Sequence, residues 1–168
     1  DGSATDVTGH GYNGTLQNSP SYGDGKIGKA LSFNGSSQFV SLPGNLPTLG
    51  KFTFTAWIYM NNGSAQNAPL WAKNSDNRLM LQPSYQYLSI NGKPPYVSTP
   101  SNLGAWVHVA VVRDGNTATF YRNGAKVTSW DVTGVDTDFS SSKFATDGYW
   151  YLNGSLDDVR LYSSALGV

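Results

Sequence analysis

Short runs of alternating apolar and polar residues, each bounded by turn formers, recur about every ten positions along this chain. No stretch sustains a 3.6-residue apolar period. That pattern confines the chain to β structure. Strands are expected at Lys29–Phe33, Gln38–Leu42, Lys51–Met60, Pro69–Lys73, Arg78–Gln82, Tyr87–Asn91, Trp106–Arg113, Ala118–Arg122, Lys126–Asp131 and Leu156–Tyr162. Asp114-Gly115 and Asn123-Gly124 reach positive φ without steric cost, so Trp106 to Val132 reads as an antiparallel meander.

So many strands without helices require two stacked sheets or a closed barrel. A two-sheet antiparallel β-sandwich is expected for two reasons. Trp106–Arg113 is apolar on both faces, as in a central strand covered on each side. Phe52 and Phe54 alternate with Thr53 and Thr55, which turns a Phe face toward an opposing sheet about 10 Å away. Composition does not break along residues 1–168, which read as one domain with excursions at Asn61–Ala68 and Pro94–Pro100.

A chain of 168 residues buries roughly 70% of its unfolded surface and needs no staple. Eleven basic and eleven acidic side chains cancel, and no basic stripe exists to neutralise phosphates, which argues against nucleic acid. Val107–Val112, interrupted by His108, falls far short of the ~20 apolar residues that span a bilayer, so no membrane insertion is expected. With no Cys there is neither a disulfide framework nor a thiolate metal site. Nineteen Gly, ten Tyr and five Trp over 13% charged residues suit a secreted or cell-surface protein that handles polysaccharide. The Asn-Gly-Ser/Thr triplets at Asn13, Asn34, Asn62 and Asn153 read as hairpin turns rather than glycosylation acceptors.

All eleven acidic residues are Asp and none is Glu, which removes the commonest general acid and base of sugar chemistry. Asp157 and Asp158 are adjacent on a strand, point to opposite faces and cannot flank one glycosidic bond. His108 falls inside an apolar strand and is expected in the core or subcore with a hydrogen-bonded ring. No nucleophile elbow, zinc motif or phosphate loop occurs. A non-catalytic module is expected.

Sugar recognition uses flat apolar faces for pyranose C–H groups and planar polar groups for vicinal hydroxyls. If Leu70, Leu88 and Ile90 face the core, parity turns Trp71, Tyr87 and Ser89 outward. Trp71, Tyr85, Tyr87 and Tyr96, with Lys73, Asn77 and Arg78 nearby, form the densest candidate carbohydrate site. Arg78 pairs with Asp76, covers a rim hydrophobe with its stem, or faces the rings and favours an acidic sugar. In Tyr149-Trp150-Tyr151, alternation requires at least one exposed ring, and Trp150 is the candidate. Trp57 and Trp106 are expected to be structural.

The loop from Asp6 through His10 to Asn13 offers oxygens suited to a hard cation, from the Asp6 carboxylate and Gly-freed main-chain carbonyls. Asp157 shares strand parity with Val159 and Leu161, so its carboxylate points inward and needs a partner.

Six ordered blocks then carry a family resemblance: Asp6 to Leu16, Gly25 to Gly35, Phe52 to Ile58, Trp106 to Val111, Phe120 to Gly124 and Gly154 to Tyr162. They resemble the laminin-G-like, concanavalin A-like jelly roll of bacterial extracellular proteins. The resemblance implies two curved antiparallel sheets, a structural Ca²⁺ near the chain ends and glycan binding by the concave face or rim loops. It carries over to a cation shared by Asp6 and Asp157, with His10 and Asn13 in the same loop. The competing expectation is that Asp157 accepts N–H groups of the Asp6–Gly14 loop with no metal. The short ends suit a monomeric module cut from a larger multidomain protein.

The expected function is a calcium-stabilised, non-catalytic carbohydrate-binding module that holds an attached enzyme near polysaccharide. The competing class is an adhesin or spacer that contacts protein, since one sandwich hosts many functions. The discriminating feature is whether Trp71, Tyr87 and Tyr96 form a solvent-facing strip.

Overall fold

The computed structural model describes residues 3–62, 67–100 and 102–167, and these contain sixteen strands and no helix. In chain order they are β1 (Thr15–Gln17), β2 (Ser21–Asp24), β3 (Lys29–Asn34), β4 (Phe39–Ser41), β5 (Thr48–Leu49), β6 (Lys51–Met60), β7 (Ala68–Ala72) and β8 (Arg78–Leu81). They continue with β9 (Tyr85–Ser89), β10 (Tyr96–Ser98), β11 (Trp106–Asp114), β12 (Thr117–Arg122), β13 (Ala125–Asp131), β14 (Thr137–Asp138), β15 (Lys143–Phe144) and β16 (Asn153–Tyr162).

Two seven-stranded antiparallel sheets pack as a sandwich. The first runs β1-β4-β15-β7-β8-β9-β10 and the second β13-β12-β11-β6-β16-β3-β2, while β5 and β14 form a separate ribbon. The core fills the space between them, with Leu70, Leu79, Leu81 and Leu88 from the first sheet against Phe54, Ile58, Val109 and Phe120 from the second. Alternation builds the long strands. In β6, Phe52, Phe54, Ala56, Ile58 and Met60 are all buried, and Thr55, Trp57 and Tyr59 between them are half-buried on the outer side.

The expected meander is present as β11-β12-β13. Asn123 and Gly124 both hold positive φ, 49° and 80°, which gives the primed turn whose twist matches the flanking strands. The first turn is displaced by one residue from expectation. Asp114 pairs with Thr117, so Gly115 and Asn116 are central and only Gly115 is at positive φ. The expected excursion Pro94–Pro100 contains β10, which pairs with β9. Of the excursion Asn61–Ala68, residues 63–66 lie outside the described residues, and Ala68 opens β7.

Two bulges redirect side chains. Pro69 pairs with Met80 but Trp71 with Leu79, so Leu70 is an extra residue in β7. In β16, Asp157 pairs with Trp57 but Arg160 with Thr55, so Asp158 and Val159 oppose Ala56 alone, and Asp158 takes a positive φ of 47°. An inserted residue reverses the parity of the strand beyond it.

Candidate functional site

The outer side of the first sheet carries the site. Tyr96 pairs directly with Tyr87 and Ser98 with Tyr85, and residues opposite each other in a ladder share a face. Tyr87 in turn faces Met80, and Arg78, two residues before Met80, is on the same side. The result is a strip. The Arg78 guanidinium is 4.8 Å from the Tyr87 ring centroid, and the Tyr87 and Tyr96 rings are 4.9 Å apart at a 56° tilt. Exposure rises outward along it: Tyr87 is half-buried, Tyr85 is 38% exposed and Tyr96 70%. Beside the strip, Ser84, Tyr85, Tyr96, Val97 and Ser98 line a shallow depression of about 310 Å³.

The second aromatic cluster reaches the same place through an ion pair. Arg78 Nη1 donates to Asp147 Oδ2 at 2.9 Å. The other carboxylate oxygen of Asp147 accepts the main-chain N–H groups of Tyr149, at 3.0 Å, and Trp150, at 2.8 Å. Asp147 follows β15, and β7 lies between β15 and β8, so the segment passes over β7 to reach Arg78. Pro69 and Met80, outward-facing by register, are buried. Trp150 is 38% exposed and Tyr149 86%, and both rings stand on this segment. Sequence reading placed Arg78 against Asp76 or the rings; it stacks on Tyr87, and its acidic partner is Asp147.

Trp71 is not part of the strip, contrary to the parity argument. It is 1% exposed, its Nε1 donates to Ser142 Oγ at 2.9 Å, and its ring is 4.8 Å from that of Phe139. The bulge at Leu70 explains the reversal, because it puts Trp71 on the Leu79 side, which is the core side. Lys73 is bound at the rim, 3.1 Å from Asp138 and hydrogen-bonded to the Ser140 carbonyl and hydroxyl. Asn77 closes turns: its carbonyl accepts Lys73 N–H at 2.9 Å and its side-chain oxygen accepts Asn91 N–H at 3.1 Å.

The residues expected to hold calcium do not form one donor set. Asp6, His10 and Asn13 share a loop that closes on itself. Asp6 Oδ1 accepts from the Thr8 N–H and hydroxyl, its Oδ2 accepts from Tyr12 N–H, and Asn13 accepts Asp6 N–H. The Thr8 bonds above all hold the Asp6 pKa down to about 2. His10 meets the Thr8 hydroxyl at 2.6 Å and stacks on Tyr12. Asp157 is elsewhere. By register it shares a face with Trp57, the outer side of the second sheet, and the bulge after it restores Leu161 to the inner side with Phe54. Its Oδ2 accepts Ile27 N–H at 2.7 Å, so the loop that covers it is 25–28 and not the one containing Asp6. Among the described residues no three Asp, Glu, His or Cys side chains converge.

The outer side of the second sheet holds Trp57 and Trp106, expected to be structural, and His108, expected in the core or subcore, together with Tyr59. Trp57 packs edge-on to His108 at 5.1 Å, Tyr59 is tilted against Trp106 at 5.6 Å, and Lys26 Nζ is 5.1 Å above Trp57. His108 is half-buried on this outer side and not in the core, because Val107, Val109 and Val111 take the inner positions. Burial lowers its pKa, with the nearby Asp158 carboxylate opposing. The alternation of Trp106 and His108 with valines was the signal for this placement.

Comparison with known proteins adds the family. A family model described as the concanavalin A-like lectin/glucanases superfamily matches residues 34–168. No curated protein sequence matches the chain. Among solved structures, domain 4 of AbnA, a GH43 extracellular arabinanase from Geobacillus stearothermophilus in complex with arabinotriose, superposes with a TM-score of 0.77 at 22% identity, covering 98% of this chain and 89% of that one. The botulinum neurotoxin type G receptor binding domain gives 0.67 at 14% identity, covering 97% of this chain but only 45% of its own. The carbohydrate binding module CBM66 from Bacillus subtilis gives 0.50 at 16% identity, covering 88% and 94%. At these identities the likeness is one of fold.

Proposed function

This chain belongs to the concanavalin A-like lectin/glucanases superfamily, and from that premise we propose that it is a non-catalytic carbohydrate-binding module of an extracellular protein. The observation that carries the reading is the solvent-facing strip of Arg78, Tyr87 and Tyr96, with Tyr85 beside it and the Trp150 segment tied to it through Asp147. Tilted, partly exposed tyrosines offer ring faces to sugar C–H groups, and their hydroxyls serve the sugar hydroxyls. Each ring adds about 0.5 to 1.5 kcal/mol, which makes a micromolar to millimolar binder. Such a module acts by raising the local concentration of whatever is attached to it. The carboxylates support no hydrolytic reading: Asp147 is tied to Arg78 and its own segment, and Asp157 to Ile27. That the AbnA domain was solved with arabinotriose makes arabinan the first polymer to try.

The test is affinity electrophoresis through gels that contain arabinan, xylan or a β-glucan. At least one polymer should retard the protein, and the Tyr87→Ala/Tyr96→Ala double variant should migrate freely. Retardation by none of the polymers, or retardation indifferent to both substitutions, would favour an adhesin or spacer.

A further inference from the structure

We infer that the site selects uncharged saccharides, and that Asp147 is the residue that enforces the selection by cancelling the charge of Arg78. This deepens the proposed function and rests on it.

An exposed arginine beside an aromatic strip ordinarily favours a uronic or sialic acid, because its planar fork grips a carboxylate with two parallel donors. Here both two-donor edges are compromised. Nη1 is held by Asp147 at 2.9 Å, which breaks the end-on pair, and Nε is buried without a partner, which closes the side-on pair. The Asp147 side chain is only 2% exposed, so its charge is weakly screened by solvent and acts on Arg78 at short range. Two further lysines are also paired with carboxylates, in more exposed surroundings. Lys73 is 3.1 Å from Asp138, and Lys93, in the β9–β10 connection, is 2.6 Å from Asp131. Lys143 shares the outer face but leans toward β4, with its ammonium 5.6 Å from the Phe39 ring. Arg78 is therefore left as a flat, charge-compensated plate over Tyr87, suited to packing and single hydrogen bonds with neutral hydroxyls.

Asp147→Asn is close to isosteric: its amide oxygen can still accept the Tyr149 and Trp150 N–H groups, which turns its NH2 toward Arg78 Nη1, donor to donor, so Arg78 loses both its hydrogen bond and its charge compensation. Binding to arabinan, xylan, β-glucan and polygalacturonate is measured at about 20 and about 500 mM NaCl, a span that changes screening strongly. The wild-type protein is expected to bind a neutral polymer with salt-independent affinity and to ignore polygalacturonate. Asp147→Asn should gain about tenfold in polygalacturonate affinity at low salt, the worth of one charge-assisted contact. Adding Arg78→Gln should remove that gain. Salt-sensitive wild-type binding to polygalacturonate, or a folded Asp147→Asn protein without the gain, overturns the inference. If Asp147→Asn does not fold, the wild-type polymer and salt comparisons decide alone. Wild-type binding to none of the four polymers overturns the proposed function itself, whereas equal binding to neutral and acidic polymers overturns only this selectivity.

Discussion

Arg78 and Asp147 are 69 residues apart in sequence and 2.9 Å apart in space, and their contact joins the two aromatic clusters of this chain. Arg78 stacks on Tyr87 with one face while Asp147 fixes the segment that bears Tyr149 and Trp150. A strip on strands and a segment crossing the sheet thus become one surface, with a partly buried ion pair at the junction. Breaking such a pair from one side leaves an uncompensated charge, which costs more than the pair contributes when intact.

Tyr96 should separate binding from stability. It is 70% exposed, and its ring contact is with Tyr87 alone among the described rings. Tyr96→Ala is expected to change unfolding free energy by no more than about 0.5 kcal/mol while weakening polysaccharide binding about three- to tenfold. Urea denaturation and affinity electrophoresis on the same preparation check both halves. A large stability loss would mean that the ring is a packing element.

Trp71→Ala should do the opposite. The side chain is buried against Phe139 with its N–H on Ser142, so truncation opens a cavity and leaves the Ser142 hydroxyl without its donor. A loss of about 3 to 5 kcal/mol is expected, with binding of the protein that remains folded unchanged. Selective loss of binding at full stability would place Trp71 back in the ligand site.

These two tyrosine and tryptophan positions mark what was legible in the sequence. Alternation set the long strands β6 and β11 and the meander, because an unbroken period of two dictates which side is buried. It failed where a bulge inserts one residue. Ala68-Pro69-Leu70-Trp71-Ala72 is apolar or small throughout, so no polar residue marks the slip, and Trp71 is reversed. The same mechanism turned Asp157 outward, although Asp157-Asp158 reads as regular strand. Strands of two or three residues such as β1, β14 and β15 carry too few alternations to be recognised, yet β15 launches the segment that carries Asp147. The Arg78–Asp147 pair has no local signature, since only the chain path over β7 creates it.

His108 supplies a pH dependence of known sign. Burial lowers its pKa below the usual value near 6.5, so the unfolded chain binds a proton that the folded chain resists. Its neutral form supports stability fully above that value, and the support declines as pH falls from about 6.5 until the folded-state pKa is passed. The melting temperature of the wild-type protein should therefore fall relative to His108→Gln over this window. The carboxylates titrate separately. Asp6 and Asp131 are held down to about 2, Asp6 chiefly by the Thr8 hydroxyl and Asp131 chiefly by Lys93. Their stabilisation is present above the ordinary value of 3.8 and is lost as pH falls through about 2. Parallel melting curves for wild type and His108→Gln between neutral and mildly acid pH would exclude the burial effect.

Gly154 tests whether the sandwich tolerates side chains where its central strands approach. It is the second residue of β16, between Met60 of β6 and Phe33 of β3, and a methyl group there would lie 2.0 Å from the Tyr59 carbonyl oxygen and 3.1 Å from the Met60 Cα. The β6 backbone there cannot yield without breaking ladder hydrogen bonds, so Gly154→Ala is expected to cost more than about 4 kcal/mol and to abolish cooperative folding. Gly124→Ala is the matched control. It sits at a φ of 80° in the β12–β13 turn with nothing within 4 Å, so only local backbone strain of about 1 kcal/mol opposes it. Thermal unfolding of the two variants should thus differ sharply although each adds a single methyl group. Similar melting temperatures would show that β16 can shift away from β6 at this point.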